Sequence, residues 1–221
     1  LDREPSFTIF DASEQAGLVR RALTDNGFDP KKNDPRTFLA RISIVKGIYP
    51  PVGPEDFADP VFSKVFERYN RLLEKNNGLD FDDLLVFAAR LLEKKEMAEK
   101  YRERFRHLMV DEFQDINGIQ YRIVKRLSGS KGNLYIVGDE DQSIYGWRGA
   151  VLENILDFEN DFEGARVVKL ERNYRSTPVI LEAAGAVIEN NENRRPKRLW
   201  TEGDPGDPIG VYGASDEAEE A

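Results

Sequence analysis

The 221-residue sequence contains no cysteine and a single histidine, His107. Disulfides and thiolate-bound metals are thereby excluded, and a reducing, cytoplasmic setting is the expectation. One histidine cannot build a multi-histidine metal centre and makes a Ser-His-Asp arrangement unpromising. No apolar run is long enough to cross a bilayer as a helix. Leu1 to Pro5 is charged and has no apolar stretch, so no secretory leader is expected there. A basic excess is missing too: the net charge is −9, the opposite of the usual nucleic-acid footprint. Where the charges lie alters that inference. Residues 202–221 hold seven acidic side chains and no basic one, and without them the 41 acidic residues fall to 34 against 32 basic ones. A local cluster such as Arg194, Arg195, Lys197 and Arg198 can then coexist with an acidic whole, and composition is neutral on DNA binding.

What is present is enough for a core: 40% of the residues are hydrophobic and 33% are charged, which fits one large domain or two small ones with a well-solvated surface. The first hundred residues read as helices. Asp11 to Asn26 opens on a capping residue and carries Ala12, Ala16, Val19 and Leu23 near helical spacing. Asp34-Pro35 opens a second helix through Phe38, Leu39, Ile42 and Val45. Pro50, Pro51, Gly53 and Pro54 then impose a loop. Phe62, Val65, Phe66, Tyr69, Leu72 and Leu73 form a third stripe, and a fourth helix runs from Phe81 to Lys94. Nothing here alternates with period two, so an all-helical subdomain is expected.

The character changes near His107, itself read as a strand-edge residue. Leu108-Met109-Val110 is a short apolar run that stops at Asp111-Glu112. Leu134-Tyr135-Ile136-Val137 stops at Gly138-Asp139, and Val167-Val168-Lys169-Leu170 stops at Glu171-Arg172-Asn173. Helical stretches at 119–127 and 152–158 separate these runs. The alternation predicts an α/β fold with a parallel sheet, whose strand ends converge on one site. Pro178 to Asn190 reads as a further helix, and 208–212 as the start of a new strand.

The polar ends carry the chemistry. In Asp111-Glu112-Phe113-Gln114-Asp115, one carboxylate can hold a magnesium ion beside phosphates while its neighbour orients or deprotonates water. The bland alternative is a solvated acidic turn that caps the next helix. The block Gly138 to Ala150 then offers Gln142, an amide able to bond a phosphate or the attacking water. It also offers Trp147 and Arg148, an aromatic face and planar cation of the kind on which single-stranded bases stack. After the third run, Tyr174 can stack on a base and Arg175 can reach a phosphate. The Asp80-Phe81-Asp82-Asp83 block reads as a helix start rather than a metal site, and Trp200 as packing.

These three blocks in this order resemble the second, third and fourth motifs of superfamily 1 DNA helicases of the UvrD/Rep/PcrA type. The resemblance extends through Leu79 to Leu84 and Arg195 to Thr201. It implies a RecA-like parallel sheet, partial here, with residues 1–105 as a helical insertion of the first motor core, 106–173 as part of that core and 174–221 as the start of a second core. It implies ATP and Mg2+ as cofactors, with Asp111 coordinating the metal and Glu112 acting as general base. Gln142 would sense the γ-phosphate, Tyr174 would stack on adenine and Arg175 would act as an arginine finger. Trp147, Arg148 and, more weakly, Tyr145 would contact DNA. The implied partners are single-stranded DNA, single-strand/duplex junctions and repair proteins, with 3′-to-5′ polarity and no membrane. No Gly-x-x-x-x-Gly-Lys-Ser/Thr loop occurs in the sequence. That loop cradles phosphates, so little hydrolysis is expected from this chain alone. Two further alternatives stay open on the residues: a magnesium-dependent nuclease built on Asp111, Glu112 and Asp115, and a non-catalytic DNA-binding module derived from a helicase. The chain could also belong to the helicase subunit of a helicase-nuclease.

Overall fold

A computed structural model describes residues 3–129, 133–146, 149–156, 158–191 and 194–220. They divide into two compact units, Leu1–Phe162 and Glu163–Ala221.

The first unit opens with helices whose boundaries follow from their caps. α1 (Ala12–Asp25) starts at Asp11, whose carboxylate accepts from the N–H groups of Ser13 and Glu14 while Glu14 accepts from the Asp11 N–H. This reciprocal cap satisfies amides that the helix leaves unpaired. α2 (Pro35–Lys46) and α3 (Pro60–Lys75) each place proline in the first turn behind an aspartate cap, Asp34 and Asp59, where the missing N–H breaks no helical bond. Their apolar stripes then meet. Val19, Ala22 and Leu23 of α1, Phe38 and Ile42 of α2, and Phe62, Val65, Tyr69, Leu72 and Leu73 of α3 form the core. Fully burying a side chain of this size contributes roughly 1.5–3 kcal/mol.

The expectation of an all-helical subdomain needs one correction. β1 (Thr8–Ile9) pairs in parallel with β2 (Gly78–Leu79) at the edge of the helices. A two-residue ladder is too short to leave an alternating pattern in the sequence. β2 leads into α4 (Phe81–Glu93), followed by α5 (Lys95–Arg104). Asp80 caps α4 and is 1% exposed. Its Oδ2 accepts from Lys46 Nζ at 2.6 Å and from the Tyr69 hydroxyl at 2.9 Å, and Asp83 Oδ1 accepts from the same ammonium at 2.7 Å. One buried cation thus ties α2, α3 and α4 together. Burial and the neighbouring carboxylates push the Tyr69 hydroxyl up, and burial, opposed by Lys46, raises Asp83.

β3 (His107–Val110) and β4 (Asn133–Ile136) form a second parallel pair, with Leu108 opposite Leu134 and Val110 opposite Ile136. At its start, the Asn133 side-chain amide lies 2.9 Å from His107 Nδ1. α6 (Gly118–Ser128) makes the crossover between the strands and packs on α4. Gly118 permits a close approach: a Cβ there would lie 3.0 Å from the Tyr49 nitrogen, next to the Ile119 N–H that donates to the Gly47 carbonyl. α7 (Glu153–Leu156) and α8 (Phe158–Asp161) close the unit, where Asp161 accepts from Lys125 at 2.6 Å and from the Tyr121 hydroxyl. Both bonds hold its carboxyl below the usual range.

In the second unit the expected third strand does not form. Residues 167–170 have no ladder partner among the described residues, and Val168 and Leu170 stand 65% and 74% exposed. An apolar tetrapeptide becomes a strand only where a neighbour takes up its N–H and C=O groups. Instead, an isolated parallel bridge joins Arg172 to Trp200. α9 (Pro178–Ile188) follows as expected, residues 208–212 form no strand, and α10 (Glu217–Glu220) ends the described chain. The architecture is mixed α/β with two small parallel sheets. Among the described residues, no helix is long and apolar enough to cross a membrane.

Candidate functional site

Because β3 and β4 run parallel, both carboxyl ends emerge at one edge of the sheet. The ladder continues one step past the strands: the Val137 N–H donates to the Val110 carbonyl at 2.8 Å, and the Phe113 N–H donates to Val137 at 2.9 Å. Between those two bonds sit Asp111 and Glu112, both exposed. Glu112 adopts φ +49° and ψ +43°, a left-handed conformation that costs a non-glycine residue roughly 1–3 kcal/mol. The turn has a structural consequence. Phe113, 0% exposed, enters the space beside Tyr121 and Phe158 in edge-on contacts, and Gln114 follows at 1% exposed. The buried pair anchors a turn whose two leading carboxylates face solvent. The Asp111 Oδ1 accepts from the Glu112 N–H at 2.9 Å.

Gln114 joins the two strand ends. Its Nε2 donates to Glu112 Oε2 at 2.8 Å and, at a longer 3.5 Å, to Asp115 Oδ2. Its Oε1 accepts from the Asp139 N–H at 3.0 Å. Gly138 leaves room for this amide, since a Cβ there would lie 2.9 Å from Gln114 Oε1 and from Ile155 Cδ1. Asp139 then caps the short 3-10 turn Glu140–Gln142: one oxygen accepts from the Asp141 N–H at 3.0 Å and the other from Gln142 Nε2 at 2.7 Å. Asp111, Glu112 and Gln142 are therefore brought together at one edge. Tyr145 is exposed just beyond. Trp147 and Arg148 lie outside the described residues.

Tyr174 and Arg175 belong to the second unit and sit on one turn. Asn173 Oδ1 accepts from the N–H groups of Arg175 and Ser176, each at 2.8 Å. The Asn173 N–H donates to the Trp200 carbonyl at 2.7 Å, and the Trp200 N–H to Glu171 at 2.9 Å. The Arg172 guanidinium lies 4.9 Å from the Tyr174 ring centroid and 5.4 Å from that of Trp200, and is ion-paired with Glu202. Tyr174 itself is 81% exposed.

Three of these residues, Gln114, Asp139 and Arg172, were not singled out by sequence reasoning. Gln114 stands inside the most informative pentapeptide, but nothing in the letters says which side chains of an acidic turn point inward. As to a metal, no group of three or more His, Cys, Asp or Glu among the described residues could hold one by itself. A solvent-facing Asp111 at a strand end fits the other mode, in which Mg2+ takes one or two carboxylates and completes its shell with water and phosphate oxygens. Asp115 Oδ1, buried without a hydrogen-bond partner among the described residues, is a further acceptor suited to an ordered water.

The fold and site thus define an α/β protein that presents a carboxylate pair and an amide at the carboxyl ends of parallel strands, where such sheets carry ligands. Comparison with known proteins makes this specific. Residues 1–163 match the UvrD/REP helicase N-terminal domain and residues 168–221 the UvrD-like helicase C-terminal domain. The chain belongs to the UvrD/REP helicase family. It is 45% identical to the ATP-dependent DNA helicase PcrA of Bacillus subtilis over 96% of its own length and 30% of that protein. Its identity to the protein of the same name in Staphylococcus aureus is 43%, over 99% of this chain and 31% of the relative. The figures are the same for Staphylococcus epidermidis. The chain therefore spans about a third of the length of these curated relatives.

Proposed function

We propose that the intact protein is an ATP-dependent 3′-to-5′ DNA helicase or translocase acting in DNA repair or replication in the cytoplasm. In this reading the chain supplies water activation and ATP–DNA coupling. Residues 1–105 are a helical insertion in the first motor core, 106–173 belong to a RecA-like core and 174–221 open a second.

One observation carries the reading: Asp111 and Glu112 stand exposed at the end of β3 and are hydrogen-bonded, through Gln114 and Asp139, to Gln142 at the end of β4. Phosphoryl transfer needs little covalent help from a protein. It needs a placed nucleophile and charge neutralisation. Glu112 orients the attacking water and accepts its proton. Asp111 would hold Mg2+, which when bound would neutralise charge on the phosphate oxygens. Gln142 senses the terminal phosphate. Tyr174 offers its exposed ring to adenine, and Arg175 meets the charge that develops on the transferred phosphoryl group. Trp147, Arg148 and Tyr145 contact single-stranded DNA, at single-strand/duplex junctions as well as along the strand.

The test is DNA-stimulated ATP hydrolysis by the intact protein and its Glu112→Gln variant. Loss of a positioned general base lowers kcat by about 100-fold or more, with nucleotide binding retained. Wild-type turnover by the variant, or magnesium-dependent DNA cleavage without nucleotide, would refute the reading.

A further inference from the structure

The bonds around Gln114 do more than fill a buried corner. A backbone N–H can only donate and an ionised carboxylate can only accept. The Asp139 N–H therefore fixes the Gln114 carbonyl on the β4 side, and its NH2 group is left facing Glu112. The amide cannot flip without losing both bonds. It occupies Oε2 of Glu112 and leaves Oε1 to other partners, on a residue whose backbone is held left-handed. Beyond the amide, Asp139 carries the line onward, because the residue whose N–H binds Gln114 also holds the Gln142 side chain through its carboxylate. Three hydrogen bonds of 2.8, 3.0 and 2.7 Å thus run from Glu112 to Gln142.

We propose that Gln114 is a positioning residue that fixes the rotamer of Glu112 and ties it to the turn bearing Gln142. A displacement of that turn by nucleotide or DNA is then transmitted to the base. The inference rests on the reading of Glu112 as the base. A side chain that is 1% exposed cannot reach substrate directly, so the effect passes through Glu112.

The test uses the intact protein. Gln114→Met keeps the volume and deletes both amide bonds. Gly138→Ala keeps the amide but pushes a methyl against its oxygen. For Gln114→Met, kcat falls about tenfold or more while KM for ATP and nucleotide affinity stay within a factor of about two. Stimulation by DNA shrinks as well. Gly138→Ala shows the same split in smaller measure, and it decides the matter if Gln114→Met does not fold. An unchanged kcat and unchanged DNA stimulation in a folded variant would overturn the proposal. So would a loss confined to thermal stability or nucleotide affinity, which is what a packing role alone predicts. Glu112→Gln, run alongside, separates the two ideas. If it abolishes turnover while Gln114→Met does not, the relay alone is wrong. If Glu112→Gln turns over normally, the general-base reading fails and the relay with it.

Discussion

Two short acidic blocks, Asp80-Phe81-Asp82-Asp83 and Asp111-Glu112-Phe113-Gln114-Asp115, are close in composition, and both follow a parallel strand. Their surroundings set them apart. In the first, Asp80 and Asp83 are buried, share the Lys46 ammonium and cap α4 in a reciprocal box. Their carboxylates are taken up by a cation, a hydroxyl and backbone amides. In the second, the leading carboxylates face solvent, and the only side-chain donor bonded to Glu112 among the described residues is the amide of Gln114. A carboxylate consumed by a buried lysine holds helices together. One aimed outward from a strained turn is available for chemistry. Acidic composition alone separates neither case.

Several substitutions bear on this contrast. The largest effect belongs to Lys46→Met. Breaking a buried pair from one side leaves uncompensated charge and costs about 3–5 kcal/mol, read as a drop in the denaturation midpoint. The block would not be a structural latch if the variant melted like the wild type. In the second unit, Arg172→Gln removes the cation from beneath the Tyr174 ring. An exposed cation–π contact is worth about 0.5–1 kcal/mol, so KM for ATP should rise about two- to fivefold with kcat unchanged. An unaltered KM would detach Arg172 from nucleotide binding.

The smallest effect concerns pH. Burial raises the Asp82 carboxyl above its ordinary value, against a hydrogen bond from Ser43. A carboxylate raised in the folded state adds stability below its unfolded pKa, and that stability is lost as pH rises through the folded value. The stability of the wild type relative to Asp82→Asn should therefore fall as pH rises through this window, while carboxyls held low, such as Asp161, slope the other way in both. A difference between the two that does not change with pH would show that the carboxyl is not perturbed.

The sequence carried much of this fold, and for a physical reason. Helices announce themselves locally, through caps such as Asp11, Asp34 and Asp80 and through stripes such as Phe62 to Leu73. β3 and β4 were legible because each is an apolar run cut off by polar residues. The run at 167–170 looked the same and formed no strand, because pairing depends on a neighbour that no local pattern records. The β1–β2 ladder was invisible for the converse reason, its two-residue strands having no period to detect. At the candidate site, the segments 111–115 and 138–142 stood out by composition and order, and the structure sets them side by side. The bridging Gln114 did not stand out, because its role depends on the left-handed turn at Glu112 and on the space above Gly138. Both are properties of the folded backbone.

The most direct measurement is turnover per folded molecule in the intact protein, with one charge-neutralising amide placed in each block, Asp80→Asn and Glu112→Gln. Opposite losses are expected. Asp80→Asn lowers the denaturation midpoint but leaves turnover per folded molecule at the wild-type level, while Glu112→Gln keeps the midpoint and loses nearly all turnover. Wild-type turnover in Glu112→Gln, or lost turnover in fully folded Asp80→Asn, would contradict this division of roles between the two blocks.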